Sequence, residues 1–199
     1  MMQKQIFSDR LLKAVKTTSR LFEGAKRKDG YDYSIHLFGV MYIAAQFTDD
    51  EDIIIAALMH DTLEDIDPNI YSELNLRQDF GDRVAELVKT VSHFETEEIS
   101  KKESREIYLQ NITNGPKDAI IITASDLINN LMDMISVIDA KTIDANDTFV
   151  NVDDKNFKIR FWFYGERVRI INERLGVDHP LAKEVKSAFN RYKKLIENY

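Results

Sequence analysis

A chain of 199 residues with 44 % hydrophobic and 31 % charged residues has the size and make-up of one soluble globular domain with a sizeable core. Its net charge of −7 argues against a general nucleic-acid binder, while two local basic clusters, Lys26-Arg27-Lys28 and Lys101-Lys102 with Arg105, could still meet a small polyanion. The absence of cysteine excludes disulfides and thiolate chemistry; with no apolar run of bilayer length and no signal-peptide core at the start, a cytoplasmic protein without a membrane partner is expected.

The spacing of Phe7, Leu11, Leu12, Ala14, Val15, Leu21 and Phe22 predicts a first helix over about residues 6–23, with Ser8 as its cap. Gly24 to Gly30 breaks the pattern and reads as an exposed basic loop carrying Arg27 and Lys28. Ser34 is expected to cap the next helix, which bears His36 and Gly39 and turns Ile35, Val40, Ile43, Ala44 and Phe47 inward. Asp49-Asp50 closes it and opens a buried helix through Ile53 to Met59. The last turns of that helix carry His60, Asp61, Glu64 and Asp65 before Pro68 stops it. Residues three and four apart share a helix face, so these four ionisable side chains converge on one patch.

A short helix at Ile70 to Leu74 and a longer one over Asp82 to Ser92 follow. The charged stretch 95–103 has no period and reads as a mobile loop, after which Arg105 to Ile112 is helical. Gly115-Pro116 starts a second core helix that runs through Met134; its apolar pattern is too long for a strand, and Asp126 and Asn130 lie on one face of it. Residues 139–154 form a connecting loop in which Asp144 to Thr148 lacks the glycine and terminal glutamate of a calcium site. An aromatic-rich helix from Phe157 to Leu175, closed by Gly176, and a last one from Pro180 complete an all-α chain of about 8–10 helices.

Taken singly, each ionisable residue has a plain explanation: a solvated acidic helix end, a packed histidine, an aspartate satisfying a backbone group. Their joint placement on three predicted helices favours another. If the two core helices meet mid-bundle, Asp126 comes against His60 and Asp61, and His36 adds a fourth ligand. Mixed imidazole and carboxylate donors suit manganese, iron or zinc better than magnesium or calcium, and the further acids Glu64 and Asp65 suit proton transfer.

His36, His60-Asp61 and Asp126 resemble the H…HD…D site of the HD-domain phosphohydrolases. More narrowly, Arg27 through His36 is similar to the RKxGxxYxxH segment of the RelA/SpoT-type hydrolases, His60 through Asp65 to their HDxxED, and Asp126 with Asn130 to their DxxxN. The likeness runs over about residues 20–135 and more weakly through 157–175, and the length resembles that of the small alarmone hydrolases, metazoan type included. It implies one HD-domain bundle over residues 1–199 that removes the 3′-pyrophosphate from ppGpp or pppGpp with one bound Mn2+. By this resemblance His36, His60, Asp61 and Asp126 hold the metal, while Glu64 and Asp65 manage the attacking water and the leaving group. Arg27, Lys28, Tyr33, Asn130 and Arg105 meet the nucleotide, and a functional pairing with an alarmone synthetase is implied.

The chain departs from the family pattern beside the last ligand. The long members read ADRLHNMRT, whereas here the run is Ser125-Asp126-Leu127-Ile128-Asn129-Asn130-Leu131-Met132-Asp133. Leu127 replaces a basic residue and Asp133 a threonine, which spares the metal ligands and bears on base preference. Two other readings stay open at this level: another HD-type nucleotidase or phosphodiesterase, and a non-enzymatic alarmone-binding or antitoxin-like partner protein.

Overall fold

The computed structural model describes residues 7–27, 30–93, 99–139 and 154–197. Lys28, residues 95–98 of the expected charged loop and 140–153 of the connecting loop lie outside them. Among the described residues there are ten helices: α1 (Asp9–Leu21), α2 (Tyr33–Ala45), α3 (Glu51–Leu58), α4 (Thr62–Asp65), α5 (Glu73–Phe80), α6 (Asp82–Val91), α7 (Lys101–Asn114), α8 (Ala119–Asp139), α9 (Lys155–Leu175) and α10 (Pro180–Ile196). The expected all-α class holds.

α8 is the axis of the bundle, packed against α2, α3, α9 and α10. Ile120, Ile122, Leu127 and Leu131 are fully buried along it. By length and composition this 21-residue helix could cross a bilayer, contrary to the expectation that no run would. Its neighbours account for its apolarity: a helix enclosed on several sides keeps only a narrow polar face, here Asp126, Asn129, Asn130 and Asp133.

α2 contains no charged residue, so its inward face cannot be read from the pattern. His36, Leu37, Val40 and Ala44 are the buried positions, while Ile35, expected inside, is 58 % exposed. The helix starts at Tyr33 behind Asp32 rather than behind Ser34. α1 is capped by Ser8, whose side chain accepts from the Leu11 N–H, and α3 by Asp50, which accepts from the Asp52 N–H.

The main correction concerns the central stretch. α3 ends at Leu58, and His60 and Asp61 lie in a turn ahead of the separate short α4. The Ala57 carbonyl, which a continuing α-helix would offer to the Asp61 N–H, accepts instead from His60 Nδ1 at 2.9 Å. The Thr62 N–H goes to the Met59 carbonyl, also at 2.9 Å, a tighter i→i+3 step. The four ionisable residues therefore do not share one helical face.

Other boundaries shift for local reasons. Of the short helix expected at Ile70 to Leu74, residues 70–72 are non-helical, and α5 begins at Glu73 behind a capping box of Ser72 and Asn75. α7 begins behind Ser100 inside the supposed loop, because its first turn is charged and carries no apolar signal. Gly81, at φ 89°, makes the tight joint between α5 and α6 that a side chain would resist. Leu127→Ala, deleting a fully buried side chain beside Asp126, is expected to cost about 2–5 kcal/mol in urea-unfolding stability.

Candidate metal centre and active site

His36 on α2, the His60-Asp61 turn and Asp126 on α8 meet in the interior. His36 and His60 are each 3 % exposed and Asp61 is 9 % exposed. Donor atoms of His36, His60 and Asp126 all lie within 4.8 Å of one another. Asp126 Oδ1 stands 3.4 Å from His36 Nε2 and 3.6 Å from His60 Nε2, while Asp61 presents Oδ1 to His60 at 3.1 Å and Oδ2 to His36 at 3.4 Å. The four residues expected to hold a metal are thus brought together from three elements, with His60 and Asp61 in a turn rather than on a helix.

Ring orientation tests whether the quartet fits a metal ion. His60 Nδ1 faces the Ala57 carbonyl, which can only accept, so that nitrogen carries the proton. His36 Nδ1 donates to Asn129 Oδ1 at 2.7 Å. In the neutral rings both Nε2 atoms therefore hold lone pairs, yet they face each other across 3.2 Å with carboxylate oxygens around them. A positive charge reconciles that arrangement, whether a proton on one Nε2 or a metal ion, and imidazole nitrogen with carboxylate oxygen is a donor set that fits a divalent ion.

The electrostatics agree. Burial opposes charging of His60, but Asp61, Asp126 and Glu64 outweigh it and push its pKa up to about 9. Burial also opposes ionisation of Asp126, yet Arg167 and the two imidazoles hold it well below the ordinary carboxylate range. The same imidazoles lower Asp61 against its burial.

Glu64 and Asp65 flank the centre, one inside and one toward solvent. Burial, then the Asp61 charge, raises Glu64 well above its ordinary value, although its Oε1 accepts from the His93 N–H at 2.7 Å. Burial and Asp61 also raise Asp65, which lies on the exposed side. Tyr33 donates to Asp61 Oδ2 at 2.8 Å; burial and the Asp61 and Asp65 charges raise its phenol, so it stays a donor.

Arg27 is not the solvated loop residue the sequence suggests. Its side chain is only 20 % exposed, with Nη2 on Asp133 Oδ2 at 2.7 Å and on Asn130 Oδ1 at 3.1 Å. Its guanidinium lies 5.7 Å over the Tyr33 ring, which stacks on Phe22. Asn130 in turn donates to Asp126 Oδ1. The structure thus joins Arg27, Tyr33 and Asn130 to the centre; Arg105, on α7, lies over the Phe163 ring at 5.3 Å.

Three contributors escape sequence reasoning. Arg167, 3 % exposed on α9, donates through Nη2 to Asp126 Oδ2 and to the Thr123 carbonyl, each at 2.7 Å, with its guanidinium 5.6 Å from the ring centres of both Tyr108 and Phe163. Its only sequence signal is a cation on an aromatic helix. Asn129 reads in the sequence as a neighbour of Asn130 and nothing more. His93, whose ring meets Ser104 Oγ at 3.1 Å, serves Glu64 through its backbone, which no side-chain pattern reports.

The HD domain family model matches residues 14–131, more than half of the chain. The chain is 40 % identical over 108 residues to a guanosine-3′,5′-bis(diphosphate) 3′-pyrophosphohydrolase of Aquifex aeolicus, covering 53 % of this chain and 15 % of that one. It is 31 % identical over 128 residues to the human protein named for the same reaction, covering 62 % and 69 %. It therefore spans only about 10–15 % of the length of the long bacterial relatives. A solved structure described as a metazoan ortholog of SpoT that hydrolyses ppGpp superposes with a TM-score of 0.73 at 20 % identity, over 92 % of this chain and 96 % of that one. At that identity the likeness concerns the fold.

Because a proton occupies the His60 side of the centre at neutral pH, a divalent ion must displace it. Titration of the metal-free protein by calorimetry at pH 7, in buffers of different ionisation enthalpy, is expected to report about one proton released per ion. Affinity should rise with pH and level off above about 9.

Proposed function

The chain belongs to the HD-domain family, and on that footing we propose that it is a manganese-dependent hydrolase that removes the 3′-pyrophosphate from ppGpp and pppGpp. One observation carries the reading. The buried His36, His60, Asp61 and Asp126 centre is flanked by the raised acids Glu64 and Asp65, and Tyr33 links it to Arg27, a cation already oriented by Asn130 and Asp133. The relatives named for this reaction, among them the human protein of which 69 % is covered, support the choice of substrate. The mixed nitrogen and oxygen donors support manganese as the metal.

In this reading a water oxygen attacks the phosphorus attached to the 3′ oxygen, that P–O bond breaks, and pyrophosphate leaves with the water's oxygen while the 3′ oxygen takes up a proton. The divalent ion supplies electrophilic polarisation, making nearby water a stronger acid and offsetting charge on phosphorus. His36, His60, Asp61 and Asp126 hold it. Glu64 and Asp65, lifted toward neutrality by burial and the Asp61 charge, exchange protons with the water and the leaving oxygen, a task that calls for pKa values near the working pH. Tyr33 keeps Asp61 facing the imidazoles. The Arg27 guanidinium has five donors and its bonds to Asn130 and Asp133 both use Nη2, so it can meet nucleotide phosphate or base without leaving Asp133. An alarmone synthetase is the functional partner the reading calls for, since it makes the substrate.

The test is incubation of the pure protein and Mn2+ with ppGpp, pppGpp, their adenosine counterparts and a nucleoside monophosphate, with product identification. GDP and intact pyrophosphate from ppGpp are expected; phosphate release from the monophosphate instead would point to a general nucleotidase. Glu64→Gln should keep the fold and lose about 10²–10⁴-fold in turnover. Arg27→Ala should raise KM for ppGpp about tenfold to a hundredfold, the worth of one charge-assisted contact. Losing its half-exposed pair with Asp133 should cost stability only about 0–1 kcal/mol in urea unfolding.

A further inference from the structure

A histidine can ligate a metal through Nε2 only while its proton stays on Nδ1, and what holds it there is the hydrogen bond that Nδ1 makes. The two imidazoles of the centre solve this differently. His60 uses the Ala57 carbonyl, a backbone acceptor that any sequence would supply. His36 relies on a side chain, Asn129 Oδ1 on the facing helix α8, at 2.7 Å.

A second observation, on α2, bears on the same amide. Gly39 lies one turn after His36, at a helical position with no positive φ, so backbone freedom does not explain a residue that weakens a helix. A Cβ there would stand 2.3 Å from Asn129 Nδ2 and 3.3 Å from its Cγ, closer than atoms pack. The missing side chain leaves the space that the Asn129 amide occupies while its oxygen reaches His36. Any side chain at 39 would push the amide away from the ring. Asn129 also stands where ADRLHNMRT of the long members has histidine, so this partner is the chain's own.

We infer that Asn129 and Gly39 act as a positioning pair that fixes the His36 tautomer and aims its Nε2 at the metal. Neither touches the ion or the substrate. The inference rests on His36 being a metal ligand, so the parent protein is the first control.

The experiment is a double-mutant cycle read as Mn2+ affinity, with free Mn2+ followed by electron paramagnetic resonance, and with helical content and melting temperature of the metal-free proteins as fold controls. Asn129→Ala should weaken Mn2+ binding about 10–100-fold, the usual cost of losing such a partner, with the fold retained. Gly39→Ala should weaken it in the same direction although alanine favours the helix. Combined, the two should lose no more than Asn129→Ala alone, because the methyl group added at position 39 then meets no amide; such coupling is what a merely structural role would not produce. Unchanged affinity in Asn129→Ala, or losses that simply multiply in the double variant, would overturn the inference. If Asn129→Ala does not fold, Gly39→Ala decides alone: a loss supports the pair and unchanged affinity overturns it. A parent that binds no Mn2+ would instead overturn the ligand set, and this inference with it.

Discussion

The Nε2 atoms of His36 and His60 stand 3.2 Å apart in the interior, each aimed at the other because its Nδ1 is committed elsewhere. Two lone pairs so opposed repel unless a positive charge lies between them. Much else follows from that constraint. Asp61 and Asp126 line the same space and offer the counter-charge that a cation there would need, and α3 ends at Leu58, where the His60 imidazole takes the carbonyl a continuing helix would have used. The ends of the centre are then set by α2 and α8, whose close packing brings Asn129 onto His36.

The charges divide into an inner and an outer set. Asp61 and Asp126 stay ionised despite burial because imidazoles, and for Asp126 also Arg167, face them. Burial, and after it the Asp61 charge, raises Glu64 and Asp65, so the inner and outer carboxyl groups are separated by electrostatics rather than by residue type. Arg167 packs against both Tyr108 and Phe163, whose rings also meet each other, while it bonds one oxygen of Asp126 and leaves the other toward the imidazoles. Buried ion pairs contribute little net stability by themselves. Orientation of the ligand is the gain here.

The departures from the family pattern acquire physical content in the same way. Leu127 points into the core and leaves the site untouched. Asp133 and Asn130 both accept from Arg27 Nη2, and the guanidinium lies over Tyr33, so the residue that departs from the pattern orients this chain's own cation.

How much was legible beforehand differs by kind. The all-α class, the buried helices, the cap at Ser8, the glycine stop at Gly176 and the proline start at Pro180 were all in the residues, because periodicity and capping are local. So was the convergence of His36, His60, Asp61 and Asp126, since two histidines and two aspartates stood at spacings that helices could bring together. The inward face of α2 was not legible, since a helix apolar all round gives no phase. The break after Leu58 was not, since it depends on a side chain competing with the backbone. Arg27 read as solvent-exposed, as a basic loop ordinarily is, because its partners lie more than a hundred residues away in the chain. Asn129, Arg167 and the His93 N–H are partners of the ligands and acids rather than members of them. They are chosen by which helices pack side by side, and only the tertiary structure decides that.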